Sequence, residues 1–150
     1  MNANSNQLSF LVKAGAYPCT KIPSGTIVNT ITTLFTGPAN AGLITDVLFR
    51  NNAQVIVNLN LLIVPSGQTG GTAGTPYAGP YLITTLQIPA GAGSNGSTPL
   101  ASLAGMVPQL FDLDLAGNRV FLTEAGDTLF VQNTSALAAD INVMVKARTF

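Results

Sequence analysis

The two-residue alternation of apolar side chains is the feature that most constrains how this chain folds. Successive side chains of a β-strand point to opposite faces of a sheet, whereas a helix repeats every 3.6 residues. The alternation is clearest over residues 54–64, where Asn58 and Asn60 mark the polar face. We therefore predict a central strand here, whose buried face consists of Val55, Val57, Leu59, Leu61 and Ile63.

Similar segments, rich in β-branched residues and bounded by Gly, Pro or Asn, recur along most of the chain. Their number predicts about seven or eight short strands and little helix. The predicted fold class is all-β, an antiparallel β-sandwich or a jelly-roll variant with long Gly-rich loops. The segments are 26–35, 43–50, 54–64, 81–88, 111–122, 128–133 and 140–147.

The turn residues between these segments predict how neighbouring strands connect. Residues 36–40 contain Gly, Pro and Asn, and residues 51–54 contain two Asn. Each segment predicts a hairpin between the strands on either side. A Gly-Asn turn at 117–118 predicts a third, smaller hairpin, and residues 99–110 are expected to hold a short helix. The apolar residues expected on one face of the small hairpin are Phe111, Leu113 and Leu115.

One compact domain is expected, because a chain of 150 residues can bury most of its apolar surface around a single core. We assign residues 26–150 to the β-sandwich and residues 1–25 to an N-terminal arm. Residues 66–79 and 90–98 are rich in Gly and Ser. We predict that these two segments are long surface loops that become ordered against a neighbouring subunit or another protein.

The chain carries less charge than an ordinary dispersed monomer. Charged residues make up 8% of it and hydrophobic residues 47%, and six Lys and Arg balance six Asp and Glu. Such a neutral surface favours association, so we expect an oligomer or a larger assembly. Nucleic acid is not an expected partner, because Lys and Arg do not cluster. A membrane is not expected either, since no apolar run reaches the ~18 residues of a membrane-spanning helix.

The sequence offers little catalytic chemistry. It contains no histidine, which is the usual general base near neutral pH, and its single cysteine, Cys19, is expected to be a small buried apolar residue. We therefore predict no enzymatic activity and no cofactor. Four acids that lie close together in the sequence are candidate calcium ligands, but solvated turn and strand-edge charges are the favoured interpretation. These acids are Asp112, Asp114, Glu124 and Asp127.

Four hydrophobic or aromatic residues are candidate contacts to a partner. Tyr77 and Tyr81 flank an Ala-Gly-Pro turn, where an aromatic ring can stack on a partner protein or on a sugar. Phe10 and Leu11 lie in the predicted N-terminal arm.

Three motifs follow one another along the chain: LFTGPANAG at 34–42, LITDVLFRNNAQVIVNLNLLIVPSG at 43–67, and FLTEAGDTLFVQNTSALAADINVMVKA at 121–147. Their order resembles that of small β-sandwich virion proteins of tailed phages, of the capsid decoration, cement or tail-associated type. LFTGP and EAGDTLFVQN carry the resemblance, while Gly37 departs from the small residue that is more usual in the family. The resemblance covers most of residues 26–147.

The resemblance implies a structural protein that binds and stabilises a phage head shell. It further implies a homotrimer, with the major capsid protein or other virion proteins as partners, located on the capsid surface after synthesis in the host cytoplasm. Two alternatives stay open. One is a tail, fibre or baseplate component built on the same sandwich, and the other is a carbohydrate-binding module that uses Tyr77, Tyr81 or a bound calcium ion.

Overall fold

A computed structural model describes residues 17–39, 42–66 and 80–149. These residues form strands and turns, apart from a four-residue helix, α1 (Leu103–Met106), and a 3-10 helix over Pro108–Leu110. No helix in this part of the chain is long and apolar enough to cross a bilayer. The strands are β1 (Cys19–Ile22), β2 (Ile31–Thr36), β3 (Gly42–Asn51), β4 (Val57–Val64), β5 (Tyr81–Ile88), β6 (Ala101–Ser102), β7 (Asp112–Leu113), β8 (Arg119–Thr123), β9 (Thr128–Asn133) and β10 (Ile141–Thr149).

The strands form two antiparallel sheets that share one core. The larger sheet has the order β1-β10-β3-β8-β7, with β6 also paired to β3, and the smaller sheet has the order β2-β9-β4-β5. Apart from the two-residue strands β6 and β7, the pairing is nested. The first strand pairs with the last, β2 with β9, β3 with β8, and β4 with β5. The predicted all-β sandwich is therefore confirmed.

Alternating side chains from both sheets meet in the core. The buried face predicted for residues 54–64 is confirmed at its centre, where Val57, Leu59 and Leu61 are almost inaccessible to solvent. Each such side chain contributes about 1.5–3 kcal/mol of hydrophobic stabilisation before entropy is subtracted. Val55 is exposed instead, because β4 begins only at Val57, and Ile63 is half-buried. The buried face of β10 is as predicted and consists of Ile141, Val143 and Val145.

Two of the three predicted hairpins are wrong. β2 and β3 lie in different sheets, and so do β3 and β4. The turn residues at 36–40 and 51–54 therefore belong to segments that carry the chain from one sheet to the other. Gly, Pro and Asn suit both kinds of connection, so turn composition alone does not identify the pairing partner. The small hairpin is confirmed, since β7 pairs with β8.

A buried amide holds one of these crossovers in place. Asn51 is fully buried at the end of β3. Its Nδ2 donates hydrogen bonds to the carbonyl oxygens of Val55 at 2.9 Å and Pro89 at 3.0 Å, and its Oδ1 accepts one from the backbone N–H of Ala53 at 2.8 Å. One side chain thereby joins the β3–β4 connection to the residue that follows β5.

The Gly-rich segment 90–98 packs against its own chain, which corrects the prediction that it becomes ordered on a partner. Ala92 is fully buried in the core. Its carbonyl oxygen accepts a hydrogen bond from the backbone N–H of Asn51, and Gly91 donates one to the carbonyl oxygen of Ala53, both at 2.8 Å. The polar composition of this segment gave no indication that Ala92 contributes to the core.

The predicted N-terminal arm and the other Gly-rich loop are described only in part. Residues 19–22, which we assigned to the arm, form β1 and pair with β10 at the edge of the larger sheet. The sandwich therefore includes residues before position 26. Residues 1–16, which include Phe10 and Leu11, lie outside the described residues, and so do residues 67–79.

The short helix expected within residues 99–110 is present as α1, and a carboxylate of the larger sheet anchors it. Ser102 caps the helix, with its Oγ accepting a hydrogen bond from the backbone N–H of Gly105 at 3.2 Å. The same hydroxyl donates to Asp46 Oδ2 at 2.7 Å, and Asp46 Oδ1 accepts from the backbone N–H of Ala104 at 3.0 Å. Asp46 lies on β3, so α1 is fixed to the centre of that sheet.

Candidate interaction surface

Asp114 organises the turn of the β7–β8 hairpin. Its Oδ1 accepts hydrogen bonds from the backbone N–H groups of Ala116 at 2.9 Å and Asn118 at 2.8 Å, and its Oδ2 accepts one from Asn118 Nδ2 at 3.0 Å. These bonds, led by the one from the Asn118 side chain, hold the pKa of Asp114 below its ordinary value. The carboxylate is therefore charged at neutral pH. Asp112 lies exposed on β7.

Glu124 and Asp127 bound a second turn, which packs against Gly37. The N–H of Gly37 donates to the carbonyl oxygen of Asp127 at 2.7 Å, and the N–H of Gly126 donates to that of Gly37 at 2.9 Å. The carboxylate of Asp127 accepts from the backbone N–H groups of Ser66 and Glu124, both at 2.8 Å. A Cβ atom at position 37 would overlap the Glu124 carbonyl oxygen. The motifs LFTGP and EAGD thus form one structural unit, which requires glycine at position 37.

The structure does not bring the four acids together in one cluster. Over residues 17–39, 42–66 and 80–149, no three His, Cys, Asp or Glu side chains lie close enough together to hold a metal ion. Asp114 and Asp127 instead use their carboxylates to bind backbone N–H groups of their own turns. These two residues agree with the favoured interpretation, in which the acids are turn and edge charges.

Of the four predicted contact residues, the structure describes only Tyr81. It is the first residue of β5, which is an edge strand of the smaller sheet, and it is 44% exposed. Tyr77, like Phe10 and Leu11, lies outside the described residues.

The β7–β8 hairpin exposes two of the three apolar residues that the alternation places on one of its faces. Phe111 is buried and packs edge to face against Phe121, with the ring centroids 6.4 Å apart. Leu113, however, is 69% exposed, and Leu115 has an exposed fraction of 111%, which means complete exposure. Leu113 lies in the two-residue strand β7, both of whose residues are exposed, and Leu115 lies beyond its end. The alternation therefore continues past the point at which the chain leaves the core. Arg119 Nη1 donates to the carbonyl oxygen of Ala104 at 2.6 Å and anchors the hairpin to α1.

An apolar pocket of about 300 Å³ lies on the outer face of the larger sheet. Cys19 of β1, Leu48 of β3, Met144 of β10 and Leu100 line it, together with the side chain of Arg50. Cys19 is exposed here, which corrects the expectation of a buried cysteine. The pairing of β1 with β10 sets Cys19 opposite Met144, and both side chains lie on the face that points away from the core.

Sequence reasoning missed this pocket because its walls come from separate segments of the chain, which meet only when the strands pair. It missed the exposed leucines because alternation predicts a face and not where a sheet ends. No known family model matches the chain, and comparisons with curated proteins and with solved structures gave no significant match.

Proposed function

We propose that this chain is a structural subunit of a virus particle, a decoration or cement protein that packs as a homo-oligomer against the head shell of a phage. The observation that carries the proposal is an apolar surface with little charge. Large apolar side chains are exposed on both sheets, among them Ile31 on β2, Leu122 on β8 and Leu115 at the hairpin tip. Exposed large apolar side chains and a net charge of zero both favour association with other proteins.

The strand order supports the same proposal. In a jelly roll, eight strands pair first with last and inwards from there, and they form two four-stranded sheets. The orders β1-β10-β3-β8 and β2-β9-β4-β5 follow this scheme when the two short strands are left out. Jelly rolls recur in viral capsid proteins and in lectins, so the order favours a virion protein without separating it from a sugar-binding one.

The way in which the acids are used supports a structural role. Asp46, Asp114 and Asp127 each direct their carboxylate to backbone N–H groups of a turn or of α1. A carboxylate that is engaged in this way fixes the backbone and has fewer lone pairs left for a substrate. Three of the six acids of the chain therefore stabilise its own backbone.

The experiment is to locate the chain in purified particles. Immunogold labelling with an antibody against the chain is expected to mark the surface of the head, and mass spectrometry is expected to find the chain in washed particles. Gold confined to tails would replace the head assignment by a tail, fibre or baseplate role. Absence from particles, together with binding on a glycan array, would overturn the proposal in favour of a carbohydrate-binding module.

A further inference from the structure

We infer that the chain associates with itself head to tail: the hairpin tip of one copy inserts Leu115 into the outer-face pocket of a second copy. The inference rests on the proposed function only in that both require a surface built for contact with protein. It specifies which two surfaces meet, and the purified chain is sufficient to test it.

The hairpin has the properties of a preformed anchor. Leu115 is fully exposed at its tip, and the turn around it is closed by a hydrogen bond from the N–H of Asp114 to the carbonyl oxygen of Asn118 at 2.9 Å. The Asp114 carboxylate binds the backbone inside the turn, and Arg119 fixes the base of the hairpin to α1. An apolar side chain on a rigid support loses little conformational entropy when a partner covers it.

The pocket has the matching properties. Its walls are mainly apolar and include Leu48, Leu100 and Met144, and a volume of about 300 Å³ accommodates a leucine side chain. The exposed residue Arg50 also lines it and forms no ion pair with a carboxylate among the residues that the structure describes. A charged Asp114 beside the incoming Leu115 would be attracted to Arg50, so the two surfaces are complementary in charge as well as in polarity.

A hairpin tip that enters this pocket comes from a second copy. The pocket lies over β1, β10 and β3, whereas the hairpin lies at the opposite edge of the same sheet. Since neighbouring strands are about 4.8 Å apart, β7 is roughly 14 Å from β10. The hydrogen bonds of Asp114 and Arg119 hold the tip away from its own pocket.

A contact between two different surfaces has a consequence for symmetry. Each copy offers one anchor and one pocket, so a contact made once between two copies is heterologous and continues from copy to copy. It produces a closed ring where the rotation between copies closes, and an open chain where it does not. A two-fold dimer would instead make the contact twice, with the tip of each copy in the pocket of the other.

The test uses two variants of the full chain, each with one defective surface. Leu115→Glu alters the anchor, and Met144→Glu, at a position that is 37% exposed, alters the pocket. Sedimentation velocity is expected to show that each variant associates at least roughly tenfold more weakly than the unaltered chain, because an apolar contact is lost in each. Leu82→Glu serves as the matched control, since this leucine is 59% exposed on the other sheet. Its association is expected to be unchanged.

Mixing the two defective variants gives the decisive result. One intact contact remains possible, between Leu115 of the Met144→Glu chain and the pocket of the Leu115→Glu chain, so the mixture is expected to form one-to-one dimers that do not grow. A mixture that stays monomeric overturns the inference, as does association that Leu82→Glu abolishes and Leu115→Glu leaves intact. A monomeric unaltered chain also overturns it, and the location of the chain in particles still decides the proposed function separately.

Discussion

Replacing Gly37 by alanine tests whether the turn at residues 124–127 is packed as closely as the structure indicates. Gly37 does not have a positive φ, so the backbone conformation alone does not require glycine. The requirement comes from the neighbouring strand connection, because an added Cβ would meet the carbonyl oxygen of Glu124. This neighbour is backbone and cannot rotate away as a side chain would.

The size of the loss in unfolding free energy follows from the displacement of the turn at residues 124–127. Overpacking costs about 1–3 kcal/mol in a well-packed region. Displacing the turn also strains the two hydrogen bonds that join Gly37 to Gly126 and Asp127, at 2.9 and 2.7 Å, and each is worth about 1 kcal/mol net. We therefore expect Gly37→Ala to lower the free energy of unfolding by about 2–4 kcal/mol. Such a loss is a large part of the 5–15 kcal/mol that is typical of a domain.

The assay is urea unfolding followed by circular dichroism at one fixed protein concentration, because self-association would make the midpoint depend on concentration. Gly105→Ala is the matched control. A Cβ there would meet only the Ser102 side chain, at 3.6 Å, and alanine is the better helix former by about 1 kcal/mol. We expect this control to be neutral or slightly stabilising. If Gly37→Ala unfolds within about 0.5 kcal/mol of the unaltered chain, the close approach is not a constraint and the reasoning is refuted.

Three further substitutions test other contacts. Asn51→Leu is expected to cost about 3–5 kcal/mol in urea unfolding, because several buried backbone groups lose their partner. Asp114→Asn tests pH dependence: the folded-state pKa of Asp114 is held below 3.8 by Asn118, so its stabilisation is complete above that pH and lost as pH falls through the folded pKa. The difference in midpoint between this variant and the unaltered chain should therefore shrink as the pH falls from 7 to below the ordinary pKa of an aspartate. Asp46→Ala should speed hydrogen exchange at the Ala104 amide, and equal exchange rates would contradict the anchoring of α1.

The strands were largely predictable because burial and alternation are local properties of the sequence. Leu59 and Val143 could be assigned to the core from their spacing alone, and both are buried. The partners of the strands were not predictable in the same way. β3 pairs with β10, which follows it by about ninety residues along the chain. Such a long-range pairing depends on the arrangement of all the strands together. Turn residues indicate where a strand ends, but they do not indicate which sheet the following strand joins.

The residues of the candidate surface also divide into those that could be predicted from the sequence and those that could not. Asp114 could be found as a turn residue, and its role in the turn agrees with that interpretation. The exposure of Leu115 could not be predicted from the sequence, because the pattern that places Phe111 in the core continues without interruption to residue 115. What separates the two residues is the end of β7, which is set by the short length of its pairing with β8. That length is a tertiary property, so no local signal records it.

The loops of this weakly charged chain are held by buried neutral amides. Asn51 and Asn133 are both buried, and Asn133 Nδ2 donates to the carbonyl oxygens of Ile27 at 2.7 Å and Ser135 at 2.8 Å. A neutral amide joins segments of backbone without the desolvation penalty of a buried charge. Loops fixed in this way keep exposed apolar side chains, such as Ile27, in defined positions, and defined positions reduce the entropy lost on contact with a partner. The low charge of the chain and the assembly that we propose therefore share one physical explanation, which is a fold held by neutral hydrogen bonds beneath an apolar surface.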